Sequence, residues 1–351
     1  MYNFSVPDKL KLAQLPTPIQ HLPRLSRLAS VHGPVDIYVK RDDFSHGPAA
    51  GNKIRKLEYF FKEALQKGLK VVFTCGGLQS NHARATALLA RQLGLECVLF
   101  LNGQKPQAGE PLHGNLLLDR LCGARIEFIS REQYDNIGQT FLKAAEPYRK
   151  RDGKMPLLIP EGGSNDIGVM GYVAAFEEIV GQAGKLDLPE VFDSIVSATG
   201  SGGTQAGLIL GRNLFGWDDK CEIIGFNISR TSEQLFERVK WAMIGGIQRW
   251  RLPISFMTQD IQVIDGYVGP GYAKASEELF DFISMVAREE GLILDPVYTG
   301  KALYGLFSEL KASKDRAELF GQRILFIHTG GLPSVFNYGE ELTRAIVRSG
   351  L

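Results

Sequence analysis

Along most of this chain, short runs of β-branched and aromatic residues alternate with stretches whose apolar positions recur every three or four residues. Residues 71–74, 97–101, 125–129, 156–159, 194–197, 222–226 and 323–328 are compact apolar runs bounded by glycine, proline or charged side chains. Such runs read as strands buried on both faces, and the periodic stretches between them read as helices. The spacing predicts helices near 83–93, 116–121, 172–180, 205–214, 231–251 and 274–290. A strand, a glycine turn, a helix and a further strand in succession make right-handed crossovers and a parallel sheet. Residues 1–35 are punctuated by proline and read as irregular, and a short strand follows at 36–40. No repeat or low-complexity tract interrupts the pattern. The class expected is α/β, with two doubly wound domains and mostly parallel sheets. Single cores rarely grow beyond ~250–300 residues, so 351 residues suit two domains. The division expected is a large domain of residues 1–53 plus 168–351 and a small domain of residues 54–167.

One helix opens in an unusual way. Gly51-Asn52 is a turn signal, and after it Leu57, Phe60, Phe61 and Leu65 recur at helical spacing while Lys56, Lys62 and Glu63 face away. Lys53 therefore falls at a helix N-terminus, where free N–H groups and the helix dipole favour a neutral amine over an ammonium. A lysine that loses its proton easily can form a Schiff base with a carbonyl. Farther along, Gly200-Ser201-Gly202-Gly203-Thr204 joins a strand to a helix. Small residues there let several N–H groups converge at a helix N-terminus, with two hydroxyls beside them, which suits a phosphate. No lysine follows as in a Walker loop, and the GxGxxG spacing of a dinucleotide fold is missing. A phosphate cradle and a reactive lysine together suggest pyridoxal phosphate.

Composition narrows the partners. The net charge is +1, with 40 basic and 39 acidic residues and no charge block, so nothing points to nucleic acid or an anionic membrane. The chain shows no apolar run near ~20 residues and no signal-like start, so a cytoplasmic protein is expected. Cys75, Cys97, Cys122 and Cys221 form no CxxC pair and no metal spacing, and are expected as buried thiols in a reducing compartment. No metal site is expected.

Five stretches carry a resemblance. Lys40-Arg41-Asp42-Asp43, Gly51 to Glu58, Gly76-Gly77-Leu78-Gln79-Ser80-Asn81-His82, Asp295-Pro296-Val297-Tyr298 and His328-Thr329-Gly330-Gly331 occur in that order. Together they resemble the aminocyclopropane-carboxylate deaminase and D-cysteine desulfhydrase family, which belongs to the tryptophan-synthase-β (fold type II) pyridoxal enzymes. The resemblance implies pyridoxal 5'-phosphate as cofactor, a small amino acid as substrate and a homodimer. It implies that Lys53 carries the cofactor and that Asn81 donates to its phenolic oxygen. Gly200, Ser201, Gly202, Gly203 and Thr204, with Lys56, would hold the phosphate. Ser80, Asn81 and His82 would bind the substrate carboxylate, and Ser80 would also act as a nucleophile or proton carrier. Tyr272 and Tyr298 would face the substrate as proton donors or acceptors.

The same resemblance bears on the substrate. The deaminases carry glutamate after the tyrosine equivalent to Tyr298, next to the cofactor's ring nitrogen, and leucine between the histidine and the glycines of the last motif. This chain has Thr299 and Thr329. A hydroxyl leaves the ring nitrogen largely neutral and the electron sink shallow, which suits expulsion of sulfide better than opening of a cyclopropane. The loop Glu161-Gly162-Gly163-Ser164-Asn165 also looks more like the desulfhydrase version. The activity expected is α,β-elimination of D-cysteine to hydrogen sulfide, ammonia and pyruvate. The alternatives are aminocyclopropane-carboxylate deamination, a lyase for cysteate or β-chloroalanine, and a non-catalytic binder of a phosphorylated metabolite.

Overall fold

The computed structural model describes residues 4–185 and 188–350. Among these described residues ten strands form two sheets. The six-stranded sheet takes β1 (Ile19–His21), β2 (Asp36–Lys40), β7 (Ser194–Thr199), β8 (Glu222–Asn227), β9 (Gln262–Ile264) and β10 (Arg323–Ile327), in the order β1-β2-β10-β7-β8-β9. The four-stranded sheet takes β3 (Val71–Gly77), β4 (Glu96–Asn102), β5 (Arg125–Ile129) and β6 (Leu157–Leu158), in the order β5-β4-β3-β6. All pairs are parallel except β1 with β2. Every residue of β7 is buried, as are the first six of β3, which is why both read as unbroken apolar runs.

Within the stretch 1–35, read as irregular, the described residues differ from that reading. They supply the antiparallel edge strand β1 and the helix Pro23–Ala29, which has proline in its first turn, where no N–H is needed. Three further helices of ten residues or more were not legible: Ile137–Asp152, Thr299–Ala312 and Gly339–Arg348. Pro147 within the first of these hides its periodicity. The 274–290 helix starts at Glu277, because Ser276 accepts from the Leu279 N–H and caps it there. Cys122 is half-buried, unlike the other three thiols. Among the described residues no helix is long and apolar enough to cross a membrane, and no cluster suits a metal ion.

The helix Asn52–Gln66 is locked from behind by a buried polar network. Arg55, 1% exposed, donates to both Asp42 oxygens at 3.0 and 2.7 Å and to both Glu178 oxygens at 3.0 Å. Lys40 donates to the Thr17 carbonyl at 2.8 Å and pairs with Glu178, and the Tyr172 hydroxyl donates to Asp42. Two cations face two carboxylates, so the buried charge is balanced. Burial works against the Asp42 charge, but Arg55 and Lys40 still hold its carboxyl below the usual range. This network ties β2 and the helix Met170–Gln182 to the helix that presents Lys53.

Candidate active site

The strands of both sheets end at one cavity of about 410 Å³. Gly76 and Gly77 come from the end of β3, Asn102 from β4, Ala198 and Thr199 from β7, and Thr329 from just past β10. Ligands of parallel α/β sheets bind at this C-terminal edge. A larger, more open groove lies between the strands β3 to β5 and the helix Ile137–Asp152, but it holds none of the residues singled out from sequence.

Lys53 lines the cavity, half-buried, as the second residue of its helix. Gly51 precedes the helix at φ 122°, and a side chain there would stand 2.5 Å from the Thr329 carbonyl oxygen. That oxygen accepts from the Asn52 N–H at 3.2 Å. No hydrogen bond or ion pair holds the Lys53 amine among the described residues. Burial pulls its pKa down to about 8, with the Glu161 carboxylate acting in the opposite direction.

The glycine loop lines the same cavity. The helix Gly203–Leu214 has no side-chain cap, so the Thr204 and Gln205 N–H groups remain free. Gly202, at φ 87°, needs glycine to make the turn. The Thr204 hydroxyl accepts from Asn52 Nδ2 at 2.9 Å and keeps its own proton to donate. Gly200, Ser201, Gly202 and Thr204 line the cavity, whereas Gly203 and Lys56 do not. The Gly203 N–H is bound by Ser164 Oγ at 3.2 Å. The Lys56 amine, fully buried, donates to Ser164 Oγ at 3.1 Å and to the Gly162 carbonyl at 3.2 Å. Ser164 in turn hydrogen-bonds Ser201 at 2.8 Å. Lys56 thus supports the cradle through Ser164 rather than facing its interior. Burial, with the Lys53 charge nearby, holds the Lys56 amine well below its ordinary value.

Ser80 caps the helix Asn81–Gln92, its Oγ accepting from the Ala83 N–H at 3.1 Å. The hydroxyl proton stays available, as do the Asn81 and His82 N–H groups at the helix start. The Asn81 carbonyl oxygen accepts from Arg84 and from Asn115, both at 2.9 Å. Arginine only donates, so this fixes the carboxamide orientation and leaves Asn81 Nδ2 free. The Thr74 hydroxyl donates to the Ile159 carbonyl at 2.9 Å and stands 2.8 Å from His82 Nε2. Nε2 is therefore the protonated nitrogen, and Nδ1 is a buried lone pair without a partner. Burial, with Lys53 and Lys56 close by, keeps His82 neutral far below the usual imidazole range.

Tyr272 and Tyr298 meet across the cavity with their oxygens 2.6 Å apart. Loss of water around their shared contact raises both phenols above the usual tyrosine value, Tyr298 further than Tyr272. Thr329 lines the cavity, but Thr299 does not. The Thr299 hydroxyl donates to Asp295 at 2.7 Å, accepts from the Asp295 N–H at 2.9 Å and is fully buried. Asp295 also accepts from the Val297, Tyr298 and Thr299 N–H groups, shaping the turn that presents Tyr298.

Several lining residues had no assigned chemistry in the sequence reading: Asn52, Gln79, Arg131, Tyr134, Glu161 and Arg230. Glu161 is the only carboxylate in the lining among the described residues, and Arg230 and Arg238 pair with it at 2.6 and 3.0 Å. Its place inside a glycine-rich loop after a short strand was the available signal. An uncapped helix start, an unpaired amine and a free carboxamide N–H around one cavity suit the phosphate, aldehyde and phenolic oxygen of pyridoxal phosphate.

Comparisons with known proteins agree with this fit. A family model described as pyridoxal-phosphate dependent enzyme matches residues 10–330. A Thermotoga maritima protein provisionally named 1-aminocyclopropane-1-carboxylate deaminase is 43% identical, over 95% of this chain and 99% of that one. An Arabidopsis thaliana protein named as a mitochondrial bifunctional D-cysteine desulfhydrase/1-aminocyclopropane-1-carboxylate deaminase is 39% identical, over 94% of this chain and 80% of that one. The crystal structure of an ACC deaminase homologue superposes with a TM-score of 0.84 at 38% identity, covering 96% of each chain.

Proposed function

Because this chain belongs to the pyridoxal-phosphate dependent enzymes, we propose that it is a lyase that eliminates the β-substituent of D-cysteine, giving hydrogen sulfide, ammonia and pyruvate. When bound, pyridoxal phosphate supplies a carbonyl for the substrate amine and a sink for the electrons left at Cα. The chain's own residues do the rest. The Thr204 and Gln205 N–H groups and the Ser201 and Thr204 hydroxyls grip the phosphate. Asn81 Nδ2 donates to the phenolic oxygen. The Asn81 and His82 N–H groups orient the substrate carboxylate. Lys53, whose pKa burial lowers to about 8, is neutral at physiological pH far more often than an ordinary lysine, so it is free to attack a carbonyl or to take a proton. The Tyr272–Tyr298 pair passes a proton to the departing sulfur.

The observation that carries the choice of reaction is that Glu161, the one carboxylate in the lining among the described residues, is held by two arginines, while Thr299 gives its proton to Asp295. A site without a free carboxylate does not keep the cofactor's ring nitrogen protonated, and a shallow sink favours a good leaving group over a carbon–carbon bond. The relatives' names support this reading and also a second one, 1-aminocyclopropane-1-carboxylate deamination, on the same residues. Measuring sulfide and pyruvate from D- and L-cysteine, and 2-oxobutyrate from 1-aminocyclopropane-1-carboxylate, separates the two. Ring opening as fast as or faster than D-cysteine elimination would replace the first reading with the second. We further take residues 54–167 as a separate small domain, and a cytoplasmic homodimer as the working form. The family resemblance supports the dimer, and sedimentation equilibrium tests it.

A further inference from the structure

Lys301 is 1% exposed, does not line the cavity, and has no carboxylate within ion-pair distance among the described residues. Its amine donates to two main-chain carbonyls, Val268 at 2.7 Å and Gly271 at 2.8 Å. Burial pulls its pKa down to about 8, with Asp295 acting in the opposite direction. Both carbonyls belong to the segment 266–273, which carries Tyr272. Gly266, Gly269, Gly271 and Ala273 all have positive φ, at 97°, 65°, 140° and 55°. Nothing lies within 4 Å of where a side chain would stand at the three glycines. Packing therefore does not fix the path of this segment at those positions, and polar ties must. Beyond Lys301, these include the Tyr338 hydroxyl, which donates to the Ala273 carbonyl at 2.8 Å, and the contact between the two phenols, while at the start of the segment the Tyr267 hydroxyl donates to Glu309 at 2.8 Å and the Gly266 N–H to Asp265 at 2.8 Å. Lys301 lies in the first turn of the helix Thr299–Ala312, whose N-cap is Tyr298. One helix turn thus carries one phenol and the tie on the other.

We propose that Lys301 is a positioning residue: it clamps the 266–273 segment through the Val268 and Gly271 carbonyls and so holds the Tyr272 phenol against Tyr298. This rests on the role given to Tyr272 in the proposed elimination. The arrangement explains a buried lysine that meets neither carboxylate nor cavity. A segment rich in positive φ would otherwise visit many conformations, and the enzyme's turnover would fall with the fraction that places the phenol correctly.

The test uses holoenzyme, with steady-state D-cysteine elimination and limited chymotrypsin digestion side by side. Lys301→Met should lower kcat about tenfold with KM changed less than about twofold, the pattern of a group needed after binding. It should also speed cleavage after residue 272. In a Tyr272→Phe background, Lys301→Met should cost less than about a further twofold in kcat, because both act through one phenol. Tyr338→Phe deletes one tie from a different element and should shift kcat and cleavage in the same direction, by about threefold. If Lys301→Met does not fold, Tyr338→Phe decides by the same readouts. Fully multiplicative costs in the double variant would overturn the proposal, as would wild-type cleavage rates in both single variants. If Tyr272→Phe turns over like wild type, the role of Tyr272 fails and the link to turnover fails with it. The digestion rates, which need no substrate, then separately confirm or refute the clamp.

Discussion

The most exacting consequence of the site concerns the Lys53 proton. An ordinary lysine titrates near ~10.4, whereas burial places Lys53 at about 8. The gap of roughly 2.4 units corresponds to about 3 kcal/mol against the charged form. At pH 7.5 about a quarter of Lys53 is then neutral, compared with about one in a thousand for an exposed lysine. Competitive trace acetylation of apoenzyme between pH 6 and 11, with the Lys53 peptide followed by mass spectrometry, reads this directly. Reactivity should rise with a midpoint near 8, and Glu161→Gln should move the midpoint lower, since that carboxylate favours the ammonium. The same shift has a stability counterpart. A lysine whose folded pKa is depressed penalises the fold while both states are protonated, and the penalty is relieved as pH rises from about 8 to about 10.4. Wild-type apoenzyme should therefore gain up to about 3 kcal/mol over that window that Lys53→Met does not gain. A labelling midpoint at or above about 10 would refute the reasoning and return Lys53 to the status of an ordinary lysine.

Other expectations follow from the same geometry. Ser80→Ala removes a helix cap, so it should cost about 1 kcal/mol in unfolding free energy as well as slowing turnover, whereas Asn81→Ala should shift the absorbance maximum of the bound cofactor. Identical spectra for wild type and Asn81→Ala would remove that side chain from the cofactor's surroundings. Thr299→Glu sets a second carboxylate against Asp295 in a buried turn where the hydroxyl now sits 2.7 Å away. Adding it to Thr329→Leu should therefore lower the thermal midpoint and the D-cysteine rate together, with at most weak ring opening in return. A double variant as stable as wild type, with undiminished elimination, would contradict the placement of Thr299.

The sequence by itself determined what depends on neighbours along the chain. Parallel strands buried on both faces leave unbroken apolar runs, so nearly all the strands and the α/β class were legible. A lysine just after Gly51-Asn52 at a helix start, and a glycine loop before another helix, carry their electrostatics in local backbone geometry, so both could be read as well. What surrounds them depends on which side chains meet after folding. Lys56 and Gly203 looked like phosphate ligands, but Ser164, more than 35 residues from Gly203 along the chain, binds both and makes them the support of the cradle. Thr299 follows Tyr298 directly, yet its hydroxyl is claimed by Asp295 one helix turn back. The unpartnered nitrogen of His82 and the ion-paired Glu161 were likewise set by Thr74, Arg230 and Arg238. Hydrogen-bond partners are chosen by distance in space and by competition for each lone pair, and only the tertiary structure decides that competition.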